Sequence, residues 1–340
     1  MDILTEREKD ILEAVIQQFV LTGDPVGSRT LSKKRNTDLS PATIRNVMAD
    51  LEEKGCLNHP HTSAGRVPTT KGYRIYVDSL MNMVDLSIEE MEIINENIGQ
   101  FSGNVDLILE KTITVLARIS NQLGLILMPN FEDGILERLD IIPVSSDKII
   151  VVLNIHSGLA KTILLEVSYD MSLKMLDSIV QILNERLAGL KIREIKATLH
   201  DRIKDLVNTD SGIIRLFVDS ADKLFDVTRY QDIKYTGTSR ILANREFSDV
   251  HKFSALIELF EQKNIIIHIM EKRSKTPGIN ITIGAENEEE SIQECSIITA
   301  PYKLGETDGL LGVIGPMRMA YKKIIPVVDY TAKLITRMLE

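Results

Sequence analysis

Apolar side chains recur at helical spacing through the N-terminal quarter of the chain and predict amphipathic helices there. One apolar stripe runs through residues 5–22. The stripe of the helix expected at 41–54 follows the i, i+3, i+4 and i+7 pattern and consists of Ile44, Val47, Met48 and Leu51. Ser40 followed by Pro41 is typical of a helix start, and Gly55 is typical of a residue that ends a helix in the left-handed conformation.

The polar positions between these stripes predict a unit of three helices, a two-stranded hairpin and a fourth helix. The short second helix is expected from Ser28 to Lys34, and the fourth from Lys71 to Met83. This order of elements is typical of a winged helix-turn-helix, in which the third helix enters the major groove of DNA and the hairpin forms the wing.

The outward face of the third helix has small and polar side chains that suit contact with base edges. At ~100° per residue these positions lie opposite the apolar stripe. The predicted base contacts are Ala42, Thr43, Arg45 and Asn46. Arginine and asparagine make paired hydrogen bonds with guanine and adenine in the major groove. A solvated helix surface is the alternative interpretation of this face.

Positive charge is concentrated where this unit would meet DNA. The whole chain has a formal net charge of −9, yet residues 28–74 contain 9 Lys and Arg against 4 Asp and Glu. The predicted contacts with phosphate or through the wing are Ser28, Arg29, Lys33, Lys34, Arg35, Arg66, Lys71 and Arg74. Such contacts position a protein on DNA without reading its sequence. Solubilising surface charge is the alternative for the basic residues.

Strand and helix patterns alternate through the rest of the chain and predict an α+β body. Helices are expected at 88–98, 105–123, 172–187 and 317–339, the last kinked or restarted at Pro326. Strands are expected at 137–143, 148–154 and 160–167, and again at 279–283, 295–302 and 309–315. The first three strands are joined by tight turns that imply an antiparallel meander, and 190–275 is interpreted as mostly short helices. This order predicts one sheet domain that is split by an insertion.

Composition argues against a secreted or membrane protein. Two widely separated cysteines, Cys56 and Cys295, imply no disulfide framework. No apolar run approaches the ~18 residues of a membrane span. The sequence opens on a capped helix instead of a signal peptide, so a cytoplasmic protein is expected.

The sequence predicts no catalytic, cofactor or metal site. It has no nucleophile paired with a base and no phosphate-binding loop, so no enzymatic activity is expected. Cys56, His59 and His61 lie close together but lack the fourth ligand of a tetrahedral structural site. The metal interpretation is therefore the weaker one for these three residues.

Two further sequence features are interpreted as structural. Gly309, Gly312 and Gly315 are spaced like a glycine-rich loop, but they fall in and after a predicted strand and are expected to be sheet glycines. The acidic run at 286–290 is interpreted as a solvated loop.

Several segments closely resemble the HrcA family of heat-inducible transcription repressors. The most specific is HTSAGRVPTTKGYR at 61–74, which covers the predicted wing. The N-terminal TEREKDILEAVIQQFVLTGDPVGSRTL and the C-terminal CSIITAPY, GLLGVIGPMRMAY and IPVVDY look like the same family. The resemblance spans the chain apart from a poorly matched middle, 190–275.

The resemblance implies a fold, a function and partners. It implies a homodimer that binds an inverted repeat upstream of chaperone operons and needs a GroEL-type chaperonin to stay active. It also implies a GAF-like body interrupted by an inserted dimerisation domain. The expected domains are 1–83 (winged helix-turn-helix), 84–103 (linker), 104–190 and 276–340 (GAF-like), and 191–275 (inserted dimerisation domain).

A metabolite-responsive winged repressor is the leading alternative. In that case the body would hold a small molecule that controls DNA binding. A metabolite found in the body, or activity that follows a metabolite instead of temperature and chaperonin, would favour this alternative.

Overall fold

The computed structural model describes residues 4–34, 39–60, 65–82, 84–100, 105–156, 158–166, 173–207, 220, 224–225, 233–274 and 276–339. Helices and antiparallel strands are both prominent, so the chain is an α+β protein, as the sequence predicts. Within these ranges, no helix is long and apolar enough to cross a membrane.

The N-terminal unit, residues 4–82, has the order of elements that the sequence predicts. Its helices are α1 (Glu6–Thr22), α2 (Ser28–Lys34), α3 (Pro41–Glu53) and α4 (Thr70–Ile75), and its hairpin strands are β1 (Leu57–Asn58) and β2 (Val67–Pro68). The expected fourth helix continues from α4 as a π-helix over Tyr76–Leu80. The apolar stripes of α1 and α3 pack together in one core, so periodicity alone was enough to place them.

Local hydrogen bonds explain where α1 begins and ends. Thr5 Oγ1 accepts from the Glu8 amide at 3.3 Å, and the Glu8 carboxylate accepts from the Thr5 amide at 2.7 Å. At the other end, Gly23 adopts φ 72° and donates its amide to the Phe19 carbonyl at 2.8 Å. The first pair is a capping box and the second a left-handed cap, and both involve residues no more than four positions apart.

The body is built around a five-stranded antiparallel sheet with helices on both faces. In spatial order its strands are β7 (Ile233–Thr236), β3 (Leu123–Leu127), β10 (Thr307–Pro316), β9 (Cys295–Leu304) and β8 (Asn280–Ile283). Helices α6 (Val105–Ser120) and α12 (Tyr321–Leu339) cover one face, and α10 (Val250–Glu261) and α11 (Lys263–Ser274) cover the other. Because both faces are covered, every residue of β3 and nearly every residue of β10 is buried. Gly309, Gly312 and Gly315 lie within β10, as expected.

The interior strand β3 begins in a stretch where the sequence predicted the end of a helix. The expected helix 105–123 is wrong in its last residues, because α6 ends at Ser120 and Asn121 turns the chain with φ 54°. Asparagine is one of the few residues that adopts this left-handed conformation readily. The strand itself reads LGLIL, and such a short apolar run has no alternation that would distinguish a buried strand from a buried helix.

The predicted meander is confirmed, but it forms a separate sheet. Its strands are β4 (Leu136–Ser145), β5 (Lys148–Ile155) and β6 (Ala160–Glu166), paired antiparallel in the order β4-β5-β6. Helices α7 (Leu173–Leu187) and α8 (Ile192–Val207) pack with one face of this sheet in a core of its own. The prediction that the meander shares a sheet with the C-terminal strands is therefore wrong.

The two sheets divide the chain differently from the expected insertion at 191–275. Helices α7 and α8 share one core, although the expected boundary separates them. Conversely, β7, α9 (Thr238–Leu242), α10 and α11 contribute to the core of the five-stranded sheet. The physical reason is burial: β5 alternates between buried and half-buried residues and needs helices on one face, whereas β9 and β10 need them on both.

Residues 84–103, expected to be a linker, contain a packed helix. Helix α5 (Ile88–Gly99) starts at the capping box that the sequence predicted from Ser87 and Glu90. Its Ile94 and Ile98 are fully buried in the core that α6 and α12 share. Tyr330 on α12 also donates a hydrogen bond to Asn95 at 3.1 Å. Most of this segment is therefore fastened to the body instead of acting as a free hinge.

Helix α12 runs through Pro326 without interruption, so the expected restart does not occur. Proline has no N–H to donate and leaves a carbonyl of the preceding turn unpaired. Burial on both sides of Pro326 offsets this loss, since Ile324, Ile325, Val327 and Val328 all lie in the core.

Candidate nucleic-acid interface

Helix α3 is held by its apolar face, which leaves its polar face outward. Ile44, Val47, Met48 and Leu51 are the buried side chains of α3. Ser40 caps the helix by accepting from the Thr43 amide at 3.1 Å, and its hydroxyl also hydrogen-bonds the Thr43 hydroxyl at 2.9 Å. At the other end, Gly55 has φ 70°, as predicted. The cap and the stripe together fix the rotation of the helix about its axis.

The side chains predicted to contact bases lie together on that outward face. Ala42, Arg45 and Asn46 are exposed, and Thr43 is half-buried beside its cap partner. Arg45 and Asn46 form no hydrogen bond or ion pair with the part of the chain that the structure describes. The donors and acceptors of both side chains are therefore free to meet a ligand.

Backbone hydrogen bonds hold the hairpin against the turn between α1 and α2. Val26, in the turn between α1 and α2, exchanges two backbone hydrogen bonds of 2.9 Å with Arg66. Gly65 lies so close to this turn that a Cβ would come within 2.4 Å of the Val26 carbonyl carbon. Glycine is therefore required at position 65 by close approach of two backbones. The wing tip, 61–64, with His61, lies outside the described residues.

Arg66 is a predicted wing contact that the structure ties to α3. Its Nη2 lies 2.7 Å from Glu52 Oε2, and its side chain is 19% exposed. Its Nε is buried and has no hydrogen-bond partner. In this arrangement the guanidinium fastens the hairpin to the recognition helix, and its role as a DNA contact stays a prediction.

Helix α2 presents some of the predicted phosphate contacts. Arg29 and Lys33 are exposed, and Ser28 is half-buried at the start of the helix. The Lys34 side chain and the whole of Arg35 fall outside the described residues. Lys71 is exposed on α4 and donates to the Lys54 carbonyl at the end of α3, at 2.8 Å.

A buried glutamate joins the two ends of the N-terminal unit. Lys54 Nζ lies 2.7 Å and 2.8 Å from the two carboxylate oxygens of Glu8. Glu8 is only 6% exposed. The hydrogen bond from Lys54, and after it that from the Thr5 amide, holds the pKa of Glu8 below its ordinary value. This pair connects the start of α1 to the end of α3 and so stabilises the frame that positions the recognition helix.

Among the predicted DNA contacts whose side chains the structure describes, Arg74 is the one that lies against the body. Its Nε donates to Glu286 at 2.8 Å, and its Nη2 donates to the Ile281 carbonyl at 2.7 Å and to Glu286. Its Nη1 lies 3.1 Å from Asp78. The structure therefore does not bring Arg74 together with α3, and its assignment to DNA stays a prediction that this pairing does not support.

A second arginine crosses the same seam from the body side. Arg318 donates Nη1 to the Val20 carbonyl of α1 at 2.9 Å and Nε to Glu246. Its guanidinium carbon lies 3.2 Å from where a Cβ would stand on Gly23. Beside it, the rings of Tyr73 and Tyr321 are 5.8 Å apart. The N-terminal unit and the body thus meet through the tyrosine pair Tyr73–Tyr321 and through one arginine from each side, Arg74 and Arg318.

The sequence did not predict the seam residues Glu286, Glu246 and Arg318. Glu286 lies in the acidic run that was interpreted as a solvated loop, and that interpretation is wrong for the buried Asn287, whereas Glu286, Glu288 and Glu290 are exposed. Glu286 pairs with Arg74, and Asn287 is 2% exposed and hydrogen-bonds three backbone carbonyls. The asparagine within a run of glutamates was the available signal, because asparagine often fixes a loop through backbone hydrogen bonds.

Comparison with known proteins agrees with the sequence resemblance. Residues 106–325 match the family described as HrcA protein C terminal domain. A relative from Chlorobium phaeobacteroides (strain BS1), named Heat-inducible transcription repressor HrcA, is 38% identical over 348 aligned positions, covering 99% of this chain and 98% of the relative. A relative of the same name from Geobacter sulfurreducens is 38% identical over 342 positions, covering 100% and 99% of the two chains.

A solved structure shares the fold. A protein described as hypothetical, determined at 2.2 Å, aligns with a TM-score of 0.65 and 23% identity over 99% of each chain. The match to the family over 106–325 and the relatives aligned over nearly the whole length lead to one conclusion: this chain belongs to the HrcA family of heat-inducible transcription repressors.

Proposed function

We propose that this protein is a sequence-specific DNA-binding repressor of heat-shock (chaperone) operons and that it performs no enzymatic step. The N-terminal unit acts as a winged helix-turn-helix. The body is a GAF-like domain around the five-stranded sheet, with an inserted dimerisation domain built on the three-stranded sheet, α7 and α8. Repression needs no chemistry, because a protein that occupies the operator blocks transcription. The relatives named heat-inducible transcription repressors support this assignment.

One observation supports DNA recognition above all others. The outward face of α3 presents Arg45 and Asn46 without partners in the described chain, while the helix is locked by its buried stripe and by Ser40. A positioned helix with free donors and acceptors is what base readout in the major groove requires. Arg29 and Lys33 lie exposed on the neighbouring α2, where they are suited to phosphate.

A single recognition helix reads too few base pairs to select one operator in a genome, so the proposal includes a homodimer on an inverted repeat. The outer face of the three-stranded sheet supports this step. Ile142 and Leu164 flank Ile150 across the strands, and they are 50% and 49% exposed. Val144 nearby is 56% exposed. Apolar side chains grouped on one face are typical of a surface that a second copy covers.

Leu164→Arg tests the dimer. The substitution adds a charge to both copies of a two-fold interface, so sedimentation of the full chain is expected to change from dimer to monomer. Leu21→Arg is the matched control, because Leu21 on α1 is also exposed, at 77%. A Leu164→Arg protein that sediments like the Leu21→Arg protein would remove this face from the proposal.

Footprinting on the promoter of the chaperonin operon tests the function itself. The full chain is expected to protect an inverted repeat. A duplex with one half-site scrambled is expected to bind at least about tenfold more weakly, because it loses several base contacts worth about 1–3 kcal/mol each. Equal affinity for the intact and the half-scrambled duplex would contradict binding as a dimer. Absence of any protected repeat would contradict the assigned operons.

The proposal also includes a GroEL-type chaperonin and a cytoplasmic location. Membership of the family supports dependence on a chaperonin, and the apolar face described above is a surface that a monomer leaves exposed. After brief heating, addition of chaperonin with ATP is expected to restore operator binding, whereas albumin at the same concentration is not. Equal recovery with both proteins would argue against a specific requirement for the chaperonin.

A further inference from the structure

A cavity of about 250 Å³ lies in the body, between α11 and the edge strand β8. His268, Lys272 and Arg273 line it from α11, and Asn280 and Thr282 line it from β8. None of these residues belongs to the DNA-binding unit or to the outer face of the three-stranded sheet. The cavity is therefore at a different place from both surfaces that the proposed repression uses.

Arg273 lies in this cavity with an incomplete set of partners. Its Nη1 donates to the Ile269 carbonyl at 3.1 Å, and its Nη2 donates to Thr282 Oγ1 at 2.5 Å and to Asn287 Oδ1 at 3.0 Å. All of these acceptors are neutral. Its Nε is buried and has no hydrogen-bond partner, and no ion pair with the described part of the chain involves Arg273. The charge of Glu288 acts on Arg273 without forming an ion pair with it. A half-buried guanidinium is costly unless an anion pairs with it directly.

Other polar groups in the cavity are held rigidly or left open. Asn287 is fixed because its amide donates to the carbonyls of Gly284, Ile292 and Cys295. Its Oδ1 therefore presents a constant acceptor to Arg273. In contrast, Asn280 Oδ1 is buried and accepts no hydrogen bond from the described residues. The wall of the cavity thus contains one unsatisfied donor, Arg273 Nε, and one unsatisfied acceptor, Asn280 Oδ1, both buried beneath its surface.

The carboxylates around the cavity are largely neutralised by other cations. Glu288 pairs with Lys272, and with side chains 73% and 58% exposed these two residues mark the solvent side of the cavity. Glu286 pairs with Arg74 of the N-terminal unit. Only Glu289 among the lining carboxylates has no such ion pair within the described residues. The charge of Arg273 thus remains available to a ligand.

We infer that this cavity binds a small molecule that has a carboxylate or phosphate group, which accepts from Arg273, and a hydrogen-bond donor, which satisfies Asn280. The volume suits a molecule of metabolite size. This site adds small-molecule control to the body, and it does not depend on the proposed operators or on the chaperonin.

Glu286 connects the cavity to the DNA-binding unit. The residue lines the cavity, and its carboxylate accepts from Nε and Nη2 of Arg74. An anion bound at Arg273 adds negative potential beside this pair and strengthens the hold on Arg74. Occupancy of the cavity therefore tightens the attachment of α4 to β8.

Isothermal titration of the full chain with inorganic phosphate, and separately with acetate, tests the site. Sodium chloride at matched ionic strength serves as the blank. Phosphate supplies anionic oxygens and an O–H donor, so it is expected to bind one site per chain and more tightly than acetate, which has less charge, fewer oxygens and no donor. Failure of both anions to saturate would overturn the inference.

Three variants locate the binding. Arg273→Met removes the charged donor and is expected to weaken phosphate binding at least about tenfold. Asn280→Leu leaves Arg273 intact and is expected to reduce the advantage of phosphate over acetate, which keeps the test valid if Arg273→Met folds poorly. Arg337→Met, at an exposed position on α12, is the matched control and should bind as wild type. Unchanged binding by Arg273→Met or by Asn280→Leu would overturn the assigned contacts.

Hydrogen exchange tests the coupling without any DNA. In the wild type, saturating phosphate is expected to slow exchange of the α4 amides. Glu286→Gln is expected to bind phosphate at least as well, because a repulsive carboxylate is gone, yet to lose the slowing at α4. Identical slowing in both proteins would refute the path through Glu286 while leaving the site itself in place.

Discussion

The N-terminal unit has two polar surfaces that use the same residue types in opposite ways. On the outward surface of α2 and α3, Arg29 and Arg45 have no protein partner in the described chain. At the seam with the body, Arg74 of the N-terminal unit donates across it to Glu286 and to the Ile281 carbonyl. Arg318 of the body donates across it to the Val20 carbonyl and within the body to Glu246. An arginine with all its donors engaged stabilises an interface, whereas one with free donors is available to a ligand.

The difference also separates stability from recognition. Substitutions in the seam leave a carboxylate or carbonyl without a partner and are expected to change the free energy of unfolding. Substitutions on the outward surface leave nothing unpaired and are expected to change only DNA affinity. The following predictions test that separation, beginning with the largest effect.

Arg318→Met is expected to lower the free energy of unfolding by about 3 kcal/mol, because it leaves the partly buried Glu246 carboxylate and the Val20 carbonyl without their hydrogen-bond donor. Denaturant unfolding measures the change, and Arg337→Met provides the control at an exposed position of α12. The double variant Arg318→Met with Glu246→Gln should recover part of the loss. An Arg318→Met protein as stable as Arg337→Met would mean that the seam contributes no stability.

Arg45→Ala and Asn46→Ala are each expected to cost about 1–3 kcal/mol of affinity for the operator, since each removes a predicted base contact. The free energy of unfolding should stay within about 0.5 kcal/mol of the wild type, as is usual at exposed positions. Gel-shift titration on operator and on unrelated DNA gives the first quantity. If both variants bind the operator like the wild type, α3 does not read the bases.

Lys33→Ala is expected to weaken binding to operator and unrelated DNA alike. Loss of one phosphate contact should reduce the slope of log affinity against log salt by roughly 1. Titrations at several salt concentrations measure this slope. Lys333→Ala is the matched control, because Lys333 lies on α12, far along the sequence from the proposed DNA interface. A loss confined to the operator, with no change of slope, would argue for base readout by Lys33 instead.

The smallest expected effects are opposite pH dependences of two glutamates. Hydrogen bonding to Lys54 lowers the pKa of Glu8 below its ordinary value of 4.5, so its contribution to stability is present above that pH and is lost as the pH falls through the lowered pKa. Burial raises the pKa of Glu246 above 4.5 in spite of Arg318. Its contribution is therefore present below pH 4.5 and is lost as the pH rises through the raised pKa.

Denaturant unfolding between pH 3 and pH 8 on the wild type, Glu8→Gln and Glu246→Gln distinguishes the two. Glu8→Gln should flatten the fall in stability on the acid side, and Glu246→Gln should flatten the decline above pH 4.5. The same change in both variants would show that the two carboxylates do not differ in environment.

The helices of the N-terminal unit could be predicted from sequence because their determinants are local. The Ser40 cap, the left-handed Gly55 and the stripe of Ile44, Val47 and Met48 all act between residues a few positions apart. For the same reason the capping box of Ser87 and Glu90 predicted α5 correctly, although the sequence did not indicate that the helix packs on the body.

The partition of the body into two sheets could not be predicted from apolar content. Residues 149–155 and 309–315 are both apolar runs, yet β5 has one covered face and β10 has two. Which helices lie over a strand depends on contacts between distant parts of the chain, and α10 and α11 reach the five-stranded sheet from a region of unclear pattern.

The sequence by itself determined which residues form α3 and which way its polar face turns, because a helix sets side-chain direction through its 3.6-residue repeat. Only the tertiary structure decided which arginines remain free. Arg74 meets Glu286 across 212 residues of sequence, and Arg318 meets Val20 across 298. No local pattern encodes such pairings, since they exist only where packing brings a donor and an acceptor within hydrogen-bonding distance.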